Sequence, residues 1–289
     1  MTDPERDGGD DIRAMTRQEH RHANLVARLR REAAVRDEEV AALTERLGTV
    51  EHELRDLRAI RDALTPPELP HRPGLDLAAA FLPAAEQVGG DFYLVAEGPQ
   101  ESTLLVVGDV VGHGLHAARR AAFVRTTFAA TAPFSDDPCQ LLSWANTALV
   151  ERAGTDSDFV TAACMTYLPE GRLLRWAYAG HPPALSMYDY RELVAPSQGP
   201  PLGIQENPAY VEGNLRSESP EGIVLYTDGL TEARHGDELF GLEGVSGALG
   251  ELQDPSPREV IAILRTRVAE FSYGSLTDDL CILAARVNA

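Results

Sequence analysis

The sequence predicts an α+β protein, a long helical rod followed by a sheet-rich body. Two observations carry this. An apolar stripe at heptad-like spacing runs through residues 12–65. From Leu75 onward the pattern changes to short apolar strands joined by hairpin turns, with helices inserted in pairs. An alternating doubly wound sheet would instead place a helix after nearly every strand.

Residues 1–11 are acidic and polar, unlike a secretory signal, and are expected to be disordered. The rod follows. Alternate steps of three and four from Ile12 reach Met15, Glu19, His22, Val26, Leu29, Ala33, Arg36, Val40, Leu43, Leu47, Val50, Leu54, Leu57, Arg61 and Leu64, mostly apolar positions. The mean spacing of about 3.5 residues calls for a left-handed supercoil. A single amphipathic helix packed on the body is the plainer alternative, but so narrow and long a stripe suits a second helix better. A parallel two-stranded coiled coil, hence a homodimer, is the expectation. Pro66, Pro67, Pro70 and Pro73 end the helix and mark residues 66–74 as a linker.

Residues 75–289 form the body. Predicted strands are Asp76–Leu82, Phe92–Ala96, Thr103–Val107, Val160–Leu168, Leu173–Tyr178, Tyr210–Leu215, Ile223–Thr227 and Leu280–Arg286. Predicted helices are Leu115–Ala132, Pro138–Arg152, Leu242–Leu252 and Pro257–Phe271.

Composition narrows the function. The 289 residues carry a formal charge of −19, and all 26 basic residues are Arg. Such acidity repels phosphate backbones and anionic lipids, so neither nucleic acid nor a membrane is an expected partner. No run of about 18 uncharged apolar residues occurs, so no helix is expected to span a bilayer. Cys139, Cys164 and Cys281 have no disulfide or zinc spacing, which fits a reduced, cytoplasmic protein.

The informative residues are aspartates at strand ends. Asp91 follows Gly89-Gly90 and opens one strand; Asp109 closes the next, in Gly108-Asp109-Val110-Val111-Gly112-His113-Gly114. In an antiparallel hairpin these two acids are neighbours. Asp228 closes another strand and Asp278-Asp279 opens the last; if those strands pair antiparallel, their carboxylates also meet. So many carboxylates cannot all ionise without a counter-charge, and no Arg lies within these motifs. A divalent cation is the economical answer, and all-oxygen ligation selects Mg²⁺ or Mn²⁺ over zinc. A single Asp-Gly at a strand end is usually only a turn, and His113 and His181 alone read as structural. The weight lies in several such signals, each at the mouth of an apolar strand.

These motifs resemble a known family. Gly89-Gly90-Asp91-Phe92-Tyr93, Gly108 to Gly114, Phe159-Val160-Thr161, Ala179-Gly180-His181-Pro182-Pro183, Pro201-Leu202-Gly203, Tyr226-Thr227-Asp228-Gly229-Leu230-Thr231-Glu232-Ala233, Phe240-Gly241 and Asp278-Asp279-Leu280 are similar, in order, to the SpoIIE/RsbU branch of the PPM metal-dependent Ser/Thr phosphatases. The resemblance covers about residues 74–287 and not the rod. It implies an α-β-β-α sandwich of two antiparallel sheets flanked by helices, with two divalent cations, Mn²⁺ or Mg²⁺, at one edge. By position it implies that Asp91 bridges both ions, Asp109 and the Val110 carbonyl bind one, and Asp228 and Asp278 bind the other. Asp278 is preferred to Asp279, which then orients its neighbours.

The resemblance further implies metal-assisted attack of water on a phosphoserine or phosphothreonine, without a phosphoenzyme. Its usual substrate class is a phosphorylated STAS-type anti-anti-sigma protein in a partner-switching pathway. An activator protein gripping the rod is the expected input. A catalytically weak scaffold and a hydrolase of small phosphoesters are the rival readings. The sequence departs from the family at Cys281, where Thr or Ser is usual, and in the Leu115–Arg120 helix start. It also shows no obvious phosphate-binding Arg.

Overall fold

The computed structural model describes residues 36, 39–48, 50, 69–82, 84, 89–152, 159–217 and 221–288. The chain divides into two units, residues 1–57 and 58–289. In the first, residues 39–48 are helical, and Val40, Leu43 and Leu47 are 62%, 63% and 61% exposed along one stripe. The rest of the acidic N-terminus and rod, and residues 66–68 of the linker, lie outside the described residues.

The second unit is the predicted sandwich. One sheet has five strands: β2 (Phe92–Glu97), β3 (Thr103–Val110), β4 (Val160–Leu168), β5 (Leu173–Ala179) and β7 (Gly213–Arg216), adjacent in that order. The other has four, in the order β1 (Leu75–Leu82), β11 (Leu280–Val287), β8 (Glu221–Tyr226) and β6 (Leu185–Ser186). All pairings within both sheets are antiparallel. A small hairpin, β9 (Arg234–His235) with β10 (Glu238–Leu239), stands apart.

Three apolar layers hold the stack together. Between the sheets, Leu105, Val107, Met165 and Tyr178 meet Ile223, Leu225, Cys281 and Leu283. Alternate residues of the five-stranded sheet, such as Leu104, Val106 and Cys164, face α1 (Leu115–Thr131) and α2 (Pro138–Arg152). The outer face of the other sheet packs on α3 (Gly241–Leu249) and α4 (Pro257–Phe271). Central strands covered on both faces explain their near-continuous apolar runs.

Local chemistry sets the helix starts. Asp137 Oδ1 accepts from the backbone N–H of Cys139 (2.8 Å) and Gln140 (3.2 Å) at the head of α2. Ser256 and Glu259 form a reciprocal capping box ahead of α4. α1 begins after Gly114, whose φ of 84° belongs to glycine, and lays Ala117, Ala121, Val124 and Phe128 on the sheet.

Most predicted elements recur within two residues, with three corrections. The strand expected at Thr103–Val107 runs on to Val110, so that Asp109 lies within the ladder rather than just beyond it. The strand expected at Tyr210–Leu215 forms only over Gly213–Arg216: Tyr210 leaves the ladder, and its ring packs against Gly199. The helix expected at Leu242–Leu252 closes at Leu249, where Gly250 caps it. The short strands β6, β9 and β10 carry too few residues to show periodicity.

Candidate metal centre

Hairpin register brings the first two acids together. Phe92 pairs with Gly108, which sets Asp91 across from Asp109, and Asp109 in turn pairs with Thr161 on β4. Gly108 is required here, because a side chain would strike the Phe92 ring. Gly90 backs onto the Val110 carbonyl so closely that a Cβ would collide with it.

The other acids arrive on the second sheet. β8 pairs antiparallel with β11, and the ladder continues one step as the Thr227 N–H donates to the Cys281 carbonyl (3.0 Å). Asp228 therefore leaves β8 beside the point where Asp278-Asp279 enters β11. It starts a turn closed by Leu230 N–H to the Thr227 carbonyl (3.0 Å) and Glu232 N–H to the Asp228 carbonyl (2.7 Å). Gly229 lies against the Asp279 backbone oxygen, leaving no space for a Cβ.

Asp278 and Asp279 differ in setting. Asp278 is exposed at the mouth, and its Oδ1 accepts from the Asp279 N–H (2.8 Å). Asp279 is buried, and its Oδ1 accepts from the Ala84 N–H (2.8 Å).

The electrostatics follow from burial and like charge. Asp91 is buried and hydrogen-bonded to Asp109; burial first, and then the Asp109 charge, hold it well above the usual carboxylate range. Burial pushes Asp109 up to about 6, with Asp228, Asp278 and Asp279 adding to the rise. Asp228 is raised by burial, then by Glu232 and Asp278. Five acids from both sheets thus sense one another at one edge.

Two ties cross between the sheets here. The Thr227 hydroxyl donates to Asp91 Oδ2 (2.6 Å) and accepts from the Cys281 N–H (2.9 Å). His181 is buried between Thr161 Oγ1 (2.8 Å from Nδ1) and the Tyr226 carbonyl (3.0 Å from Nε2). A carbonyl only accepts, so Nε2 carries the hydrogen and Nδ1 accepts from the Thr161 hydroxyl. Burial lowers His181 to about 4 and keeps it neutral. The sequence reading of His181 as structural agrees with this geometry. In the sequence Thr161 stands only as a member of the Phe159-Val160-Thr161 motif, and Thr227 only as the neighbour of Asp228.

Cys281 packs between the sheets, where burial, then Asp91 and Asp279, push its thiol well up. It is a packed core residue. His113 is exposed in the loop before α1.

The donor set fits a hard divalent cation: carboxylates and one backbone carbonyl, with no thiolate or imidazole. Among the described residues, Asp91, Asp109, Asp228 and Asp278 form no ion pair with arginine or histidine. Also among the described residues, no three Asp, Glu, His or Cys side chains already converge on one point. Asp91 and Asp109 instead hydrogen-bond each other. The chemistry suits the ion, and its uptake requires Asp109 to release Asp91 and the acids of the second sheet to turn toward them.

Residues 99–288 match the family model described as Stage II sporulation protein E (SpoIIE). The chain is similar to phosphoserine phosphatase RsbU of Bacillus subtilis (strain 168), 24% identical over 239 residues that cover 82% of this chain and 70% of RsbU. It is similar to the solved RsbU and RsbW domains of Rv1364c from Mycobacterium tuberculosis, at 26% identity and a TM-score of 0.61 over 76% of this chain. The match spans only 62% of that chain. Two further structures share the fold. The SiaA-PP2C domain of Pseudomonas aeruginosa has 21% identity and a TM-score of 0.68, covering 83% of this chain and 97% of that one. RsbX in complex with magnesium has 16% identity and a TM-score of 0.59, covering 76% and 99%. The chain belongs to the SpoIIE family, and its globular body has the PP2C fold.

Proposed function

We propose that the protein is a Mn²⁺- or Mg²⁺-dependent protein phosphatase that hydrolyses phosphoserine or phosphothreonine on a STAS-type anti-anti-sigma protein. The observation that carries this is the meeting of Asp91 and Asp109 from one sheet with Asp228, Asp278 and Asp279 from the other. The name of the relative RsbU, a phosphoserine phosphatase, supports the reaction class, and the magnesium complex of RsbX supports the ion.

In this reading Asp91, Asp109 and the Val110 carbonyl would hold one cation, and Asp91, Asp228 and Asp278 would hold the other. Asp279 orients the strand entry by holding Ala84. When bound, two such ions stabilise charge on phosphoryl oxygens and acidify water. The chain's own part is to gather acids at a sheet edge open to a protein surface. Val111, 41% exposed beside Val110, and Ile204, 58% exposed beyond the Val160–Leu202 bridge, offer apolar contact to residues flanking the phosphate.

The N-terminal helix, with its exposed Val40, Leu43 and Leu47, pairs with a second copy and relays a signal from an activator protein. A cytoplasmic partner-switching role follows. It is supported by the RsbU and RsbW domains that share one chain in the M. tuberculosis protein.

Turnover of a phosphopeptide, a phosphorylated STAS protein and a nucleotide, each with Mn²⁺ and with EDTA, tests the reading. Metal-dependent turnover fastest on the STAS protein supports it. No turnover at all points to a scaffold, and preference for the nucleotide points to a small-ester hydrolase. Removal of residues 1–65 should change the basal rate or abolish response to an activator; no change in either refutes the regulatory role.

A further inference from the structure

At the end of β8, two successive residues each tie the four-stranded sheet to the five-stranded one. The Tyr226 carbonyl receives the His181 Nε2–H, and His181 is anchored in turn by the Thr161 hydroxyl. Thr161 stands in register with Asp109. The Thr227 hydroxyl reaches Asp91 Oδ2 at 2.6 Å and is itself fixed by the Cys281 N–H at 2.9 Å. Thr227 is fully buried. Its side chain therefore has one orientation, with its hydrogen committed to Asp91 and a lone pair committed to Cys281.

The layer between the sheets beside these ties is apolar, and apolar packing is non-directional. Packing sets the spacing of the sheets but not the angle of a carboxylate. The Thr227 hydrogen bond does set that angle, because it fixes one named oxygen, Oδ2, of the Asp91 carboxylate. On this evidence we infer that Thr227 is a positioning residue: it holds the Asp91 carboxylate in the orientation that admits a divalent cation, and the His181 bridge steadies the strand end that carries it. The inference rests on the metal reading of the site given above.

Outer hydrogen-bond partners of ligating carboxylates typically tune metal affinity by about 10–100-fold. The experiment is calorimetric titration of the full chain with Mn²⁺ alone, beside thermal melting of the metal-free protein. Thr227→Val keeps the shape and removes the hydroxyl. Thr227→Ser keeps the hydroxyl and removes the methyl group.

Positioning predicts that Thr227→Val binds Mn²⁺ roughly 10–100-fold more weakly. Thr227→Ser should stay near wild type in affinity even where its melting temperature falls. A purely structural role predicts that affinity follows melting temperature in both variants, and that result overturns the inference. If Thr227→Val does not fold, Thr227→Ser decides alone: retained affinity supports positioning, and a tenfold loss overturns it. Equal affinity in wild type and Thr227→Val also overturns it while leaving the metal reading intact. Absence of Mn²⁺ uptake by the wild type overturns both.

Discussion

Gly89 lies against the carboxylate of Asp279, so that a Cβ on Gly89 would stand where the carboxylate now is. Asp279 in turn holds the Ala84 N–H at 2.8 Å. The approach explains the first of the two glycines before Asp91: the chain entering β2 has to pass the acid that enters β11. Gly89→Ala should force the two apart. Overpacking of this kind costs about 1–3 kcal/mol. Chemical denaturation should show that loss, and turnover should fall at least as far as the loss of Asp91 alignment implies. A Gly89→Ala protein with wild-type stability and rate would contradict the packing.

Asp91 makes an opposite prediction for stability and activity. Burial and the adjacent Asp109 charge disfavour its ionised form, so a neutral replacement removes a strain rather than a support. Asp91→Asn keeps an oxygen for the Thr227 hydroxyl and an amide to donate to Asp109. The metal-free variant should melt at or above the wild-type temperature. Its turnover should fall roughly a hundredfold or more, as loss of about 3 kcal/mol of charge stabilisation requires. A variant that is less stable yet fully active would refute both halves.

Much of this site was readable from hydrophobic alternation and the turn residues that interrupt it. The β2–β3 hairpin brings Asp91 to Asp109 because its register is local, while the meeting of Asp228 with Asp278-Asp279 followed only on the condition that two distant strands, β8 and β11, pair antiparallel, as they do. The ties between sheets were not readable that way. Thr227 meets Asp91 across 136 positions of sequence, and His181 meets Tyr226 across 45. Separations of that kind depend on how the sheets stack, which no local pattern encodes. Asn146 is a further case. It is fully buried on α2, where its Oδ1 accepts from the Gly203 N–H (2.9 Å) and its amide donates to the Gln205 carbonyl (2.8 Å). A lone Asn in a helical stretch carries no signal of such a distant loop. Strands of two residues, like β6, fall below any periodicity.

The apolar stripe of the N-terminal helix can be tested independently of catalysis. Leu43 and Leu47 are exposed in the single chain and occupy the same seam in the heptad pattern. A carboxylate there would be buried without a partner in each helix of a dimer, at a cost of about 1–3 kcal/mol per polar group. Leu43→Asp with Leu47→Asp should therefore weaken self-association roughly a hundredfold or more. Light scattering over a concentration series measures it. A wild-type chain that is monomeric throughout the series removes the dimer from the proposal.

His181 gives a pH signature of folding with a definite sign. Its ordinary value is 6.5, and burial lowers it to about 4 in the folded chain. Below pH 6.5 the unfolded chain binds a proton that the folded chain refuses, so stability falls as the solution is acidified. The full contribution is present above pH 6.5 and is lost down to about pH 4, at ~1.4 kcal/mol per pH unit across the window. Asp91, Asp109 and Asp228 have raised values and act with the opposite sign, their contribution being lost as pH rises. The comparison must therefore be between proteins that share those acids. His181→Asn should be less stable at pH 7.5, since one asparagine is too short to span Thr161 and Tyr226. Its disadvantage should narrow steadily between pH 6.5 and 4.5, because only the wild type has a buried imidazole to protonate. Parallel stability curves for the two proteins across that window would show that His181 is not held neutral between the sheets.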